Sequence, residues 1–277
     1  MTAPASRTAL LGAALGGVWF VAVFLALAWL APLAPLPSTA AGLVTSLLLL
    51  VAVGPLLYYV GALDLPSHAA WVGVGVVVVA GVALDVVFSR ALASGQADAL
   101  PPALASLGVL LAATLLGVII ARFAILDVDL LLLVFVLYII IDTYSVFLGP
   151  TQAIIARGGS ALNLLTVRFP LLTTLRIVPA IGATDFLVWA AGLQAAYRFR
   201  FPYPASFAAL ALGLAVSALI SAVTNRPVPA LPLMMIFYLI LNRRAFRWRQ
   251  PSLWALAAGL LVVVVGVGVL TRWWLLR

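Results

Sequence analysis

The chain contains no cysteine, no lysine and no glutamate, and a single histidine, His68, among its 277 residues. Each absence removes a chemistry. Without cysteine there is no thiolate nucleophile and no disulfide. Without lysine no Schiff base can form to a cofactor or a substrate. One histidine and no glutamate are too few for a His/Glu zinc site, and the Cys-based sites fail with them. A Ser–His protease would have to use His68, which falls in a connection between apolar runs. Charge of either sign is scarce: 8% of the residues are charged, against about a quarter in soluble proteins. All 15 cations are arginine and all 7 anions are aspartate. Catalysis is therefore left to Asp, Arg, Ser, Thr and Tyr, with no metal and no cofactor expected.

What the chain has instead is apolar sequence. It is 66% hydrophobic, with a mean hydropathy of +1.28. A soluble fold of this size has no means of hiding so much apolar surface, so lipid is the expected solvent. A helix needs about 20 apolar residues to cross ~30 Å of hydrocarbon. Nine segments meet or approach that length: 9–31, 40–60, 70–88, 103–121, 128–148, 172–195, 205–224, 229–242 and 252–274. The expected architecture is all-α, a polytopic transmembrane bundle of about nine helices forming one membrane domain over 1–277. The first segment reads as a retained helix, too long for a signal-peptide core. Gly12 and Gly16, and Gly213, Ser217 and Ser221, are small-residue pairs that let helices approach closely.

The net charge of +8 does not point to nucleic acid. The arginines lie between apolar runs, where they mark helix ends and contact anionic lipid. The densest group, Arg243, Arg244, Arg247 and Arg249, is interleaved with Phe246 and Trp248, as in a headgroup-level belt. It favours a cytoplasmic position for that loop, though the arginines divide nearly evenly between the two sides. The longest connection, 149–171, contains a β-compatible stretch from Leu162 to Phe169.

Ionisable residues inside a bilayer are costly and call for a functional hypothesis. Asp64, Asp98, Asp127 and Asp129 fall in or beside loops. Asp85 lies near the end of the third segment, where it reads as a helix-end residue reaching the interface or pairing with Arg90. Asp142 and Asp185 are embedded in apolar runs on two successive segments. Successive helices are often neighbours, so the two carboxylates can meet. Two adjacent carboxylates do not both ionise easily and share a proton. The ionised one then takes a proton from water while the protonated one hydrogen-bonds a scissile carbonyl. The alternative is structural: buried aspartates bonded to Thr, Tyr or an arginine such as Arg176.

Asp142 with the following Ser145-Val146, Gly182 with Asp185-Phe186, and Pro229-Ala230-Leu231-Pro232 occur in this order. The pattern resembles the presenilin and signal-peptide-peptidase family of intramembrane aspartyl proteases, prokaryotic homologues included. That family carries Tyr-Asp on one helix, Gly-x-Gly-Asp on the next and Pro-Ala-Leu near the start of a later one. The resemblance covers about residues 128–242, preceded by N-terminal helices over 1–122. It departs from the family at Ile141, which replaces the Tyr, with Tyr138 one turn back on the face of Asp142. Thr184 replaces the second Gly of the Gly-x-Gly-Asp element. Four segments rather than five precede the first Asp segment, and 252–274 is an extra C-terminal one.

The resemblance implies hydrolysis of peptide bonds within transmembrane helices of other proteins, in a prokaryotic cell membrane. It implies Asp142 and Asp185 as the catalytic pair, with Tyr138, Gly182, Thr184, Pro229, Ala230 and Leu231 shaping the site. Its partners are transmembrane protein substrates and membrane lipids. A strand between the Asp helices can pair with an unwound substrate, and Leu162–Phe169 is the candidate. Two other readings compete. One is a catalytically silent relative that binds membrane helices. The other is a small-solute or lipid transporter using Asp142, Asp185 and Arg176 as ion sites.

Overall fold

The structure, a computed structural model, describes residues 6–31, 37–64, 68–93, 99–147, 166–172, 177–224 and 228–244. Within them, five successive apolar runs form helices: α1 (Ser6–Leu30), α2 (Ser38–Val60), α3 (His68–Ala93), α4 (Leu100–Phe123) and α5 (Val128–Phe147). A two-stranded hairpin follows, β1 (Thr166–Pro170) and β2 (Ile177–Gly182). Three helices complete the described chain: α6 (Ala183–Arg198), α7 (Tyr203–Thr224) and α8 (Ala230–Asn242). Five of the eight helices, α1, α2, α4, α5 and α7, are long and apolar enough to cross a membrane. The expected ninth segment, 252–274, lies outside the described residues.

One expected helix is corrected. The segment 172–195 is not helical throughout; it contains β2 and becomes helical only at Ala183. Its sequence explains the break. Ile177, Val178 and Ile181 are β-branched and favour strand, and Pro179 lacks the N–H that a helix interior uses. Gly182, with φ −67° and ψ 144°, ends the strand and is the N-cap of α6. α6 has 16 residues, about 24 Å of helix, so β2 supplies the rest of the length.

The hairpin is sheltered by the N-terminal helices. β1 packs on α4, α1 and α2, and Val167 to Pro170 are all buried. Phe169 stacks edge-on against Phe24 of α1, ring centres 5.6 Å apart. α1, α2 and α4 thus cover the non-helical backbone of β1. The strands are antiparallel, with a bulge between Val167 and Arg168.

Close helix packing follows the small residues. A side chain at Gly16 would meet the Leu56 backbone of α2 at 2.6 Å, and one at Gly213 would run into the Met234 backbone of α8. These approaches bear out the role expected of both positions. The core centres on α6, where Phe186 and Trp189 are fully buried. α8 packs on α5, α6 and α7. Its Tyr238 stacks on Phe135 of α5 at 5.3 Å and donates a 2.8 Å hydrogen bond to the Gly192 carbonyl of α6.

Candidate active site

The local sequence at the start of α8 leaves two first-turn donors, the Ala230 and Leu231 amides, without helix partners. Pro229 is the N-cap, and Pro232 at the third helical position has no N–H. Of the first-turn amides, which no helix satisfies internally, the Leu231 N–H points to Asp142. Asp142 Oδ2 accepts it at 3.1 Å. A carboxylate at a helix N-terminus also complements the helix dipole. Pro229-Ala230-Leu231 and Asp142, 89 residues apart from the bonded amide, are thus joined directly.

Asp185 is positioned by the same physics on its own helix. It is the third residue of α6, and its carboxylate accepts a hydrogen bond from the backbone of the N-cap, Gly182. This is half of a capping box, in which the third residue reaches back to the cap amide. A Cβ at Gly182 would lie 3.3 Å from Asp185 Oδ2, so glycine keeps space beside the carboxylate rather than supplying an unusual backbone angle.

Both carboxylates are half-buried. Each is held by a different backbone amide, and no hydrogen bond joins them. Their helices meet indirectly. Where the sequence suggests α5 and α6 as packed neighbours, α5 packs chiefly on α8, and α8 contacts both. The hairpin inserted between α5 and α6 frees them from the tight antiparallel pairing that a short loop enforces.

Among the remaining expected site residues, Tyr138 is half-buried and packs against the core, without a hydrogen bond to either aspartate. Thr184 is exposed beside Asp185, not wedged between helices. Ala230 opens α8, Pro229 is buried, and Leu231 is 2% exposed. Arg176 lies outside the described residues.

Two expectations change here. Asp85 is not an interface residue. It is 3% exposed and its Oδ1 accepts a 2.7 Å ion-paired hydrogen bond from Arg168 of β1. Burial pulls the Arg168 guanidinium below its ordinary basicity, and the charge of Asp85 opposes that. Sequence reading misses this pair because its members lie 83 positions apart. The strand expectation shifts too. Residues 162–165 lie outside the described residues, and Thr166–Phe169 belong to β1, the covered strand. The Arg168 N–H points away from β2, to Ser106 Oγ of α4 at 3.2 Å. Its cross-strand partner Pro179 is therefore at a non-hydrogen-bonded pair, where its missing N–H leaves the ladder intact. The more open strand is β2, whose Pro179 is exposed.

Compared with protein-family models, curated proteins and solved structures, the chain matches none.

Proposed function

We propose that this chain is an integral membrane protein and an aspartyl protease that hydrolyses peptide bonds within transmembrane helices of other proteins. One observation carries the reading. Two half-buried aspartates lie on separate apolar helices, and each is held by an amide of a motif element, Leu231 or Gly182. Among the described residues, neither carboxylate has a cation as a hydrogen-bond partner.

In this mechanism one aspartate is ionised and removes a proton from water, which attacks the scissile carbonyl. The other is protonated and donates to the carbonyl oxygen. On collapse of the tetrahedral species the roles exchange, and the leaving amine takes a proton. A helical substrate must first unwind, because its carbonyls are occupied by helix bonds. β2 runs straight into α6 and ends three residues before Asp185. An unwound substrate segment pairing along its open edge would be delivered beside that carboxylate. β2 thus takes the role that the sequence suggests for Leu162–Phe169.

The experiment compares the purified wild type with Asp142→Asn and Asp185→Asn on a transmembrane-helix substrate in detergent, products read by mass spectrometry. Loss of cleavage by about 10²-fold or more in each variant is expected for groups that transfer protons. Cleavage that survives either substitution sinks the assignment. A wild type inactive on several substrates and lipids returns the chain to the silent-relative reading.

A further inference from the structure

At the end of α6 remote from the aspartates lies a cavity of about 620 Å³. Arg200, Arg243 and Arg244 line it, and among the described residues no carboxylate does. All three arginines are exposed. Asn242 lies at its buried side, its amide donating to Ser206 Oγ at 3.1 Å and to the Tyr238 carbonyl at 3.0 Å. Beside the arginines the lining turns aliphatic, with Ile240 58% and Leu241 43% exposed.

Arg200 stands in a backbone position that glycine normally fills. α6 ends in a Schellman turn: the Phe201 N–H donates to the Ala196 carbonyl at 2.9 Å, and the Arg200 N–H to the Tyr197 carbonyl at 3.4 Å. This turn needs a left-handed residue just after the cap. Arg200 has φ 58° and is the one non-glycine residue with positive φ among those described. An arginine in that conformation is strained, and strain held at a polar cavity points to use of the side chain.

We propose that this cavity binds the phosphate headgroup of an anionic phospholipid, with Arg200, Arg243 and Arg244 as its cationic wall. The adjoining Ile240 and Leu241 receive the start of an acyl chain. The site lies at a helix end, about 24 Å along α6 from the end that carries Asp185. Three guanidiniums offer planar donor forks suited to phosphate oxygens. A soluble phosphate would use the arginines and leave the aliphatic wall in water, so charge and apolarity together select a lipid. The proposal is independent of the protease reading.

The test is thermal unfolding of the full chain in neutral detergent, titrated with phosphatidylglycerol, phosphatidylcholine or inorganic phosphate. Phosphatidylglycerol alone is expected to raise the melting temperature of the wild type. The half-saturating lipid fraction should rise about fivefold for each arginine removed, through Arg200→Gly to the triple variant with Arg243→Gln and Arg244→Gln. Arg200→Gly carries a second signature. It relieves the left-handed strain, so its melting temperature without lipid should rise while its response to lipid weakens. Arg7→Gln, an exposed arginine outside the cavity, should respond like wild type. An equal response to inorganic phosphate, an undiminished response in Arg200→Gly, or an equal loss in Arg7→Gln overturns the proposal.

Discussion

The Leu231 amide and the Gly182 backbone are the smallest parts on which the proposed chemistry depends, and both are open to substitution. Leu231→Pro deletes the one N–H that holds Asp142 at a first-turn position where proline is tolerated. Leu231→Ala keeps that N–H while losing the same buried side chain. Activity in the proline variant should fall about tenfold below that of the alanine variant, measured as kcat/KM on one substrate at matched thermal stability. Equal activity would show that the bond does not position Asp142. Gly182→Ala places a methyl 3.3 Å from Asp185 Oδ2 at a backbone angle that alanine adopts freely. The expected result is a folded protein with activity reduced about tenfold, since displacements well under 1 Å suffice for losses of that order.

The hairpin is the element on which the arrangement turns, because β2 leads directly into the Asp185 helix. Arg168 and Asp85 anchor it from β1 to α3 with side chains 3% and 5% exposed. Breaking such a pair from one side leaves an uncompensated buried charge, at roughly 3–5 kcal/mol. Arg168→Met should therefore lower unfolding stability by about that amount. Adding Asp85→Leu should restore much of it, since an apolar pair of similar volume is often neutral or better. A double-mutant cycle by thermal unfolding in detergent checks this, and additive losses would refute the coupling. The hairpin was only partly legible in the sequence. The β-compatible run was visible in Val167 and Phe169, but its partner strand was hidden inside an apolar segment of membrane-spanning length. Hydropathy does not separate buried strand from buried helix; Pro179 and the β-branched residues around it were the available signal.

At the scale of the molecule, α8 joins the Asp142 helix to the Asp185 helix, so the two carboxylates should titrate as one unit. The proposed catalysis needs one shared proton. Acidification that protonates both carboxylates and alkalinisation that ionises both should each stop cleavage, giving a bell-shaped pH–rate profile. A profile with a single limb would argue against a dyad. Sequence alone determined that most of this chain forms long apolar helices, because hydropathy is a sum over neighbouring residues. It also singled out Asp142 and Asp185, because an ionisable group stands out in an apolar run whatever surrounds it in space. Only the tertiary structure decided that Leu231 holds Asp142, that Asp85 pairs with Arg168, and that Arg200, Arg243 and Arg244 line one cavity. Each of these joins groups tens of residues apart, and a hydrogen bond or ion pair depends on a few ångströms of separation that no local pattern encodes.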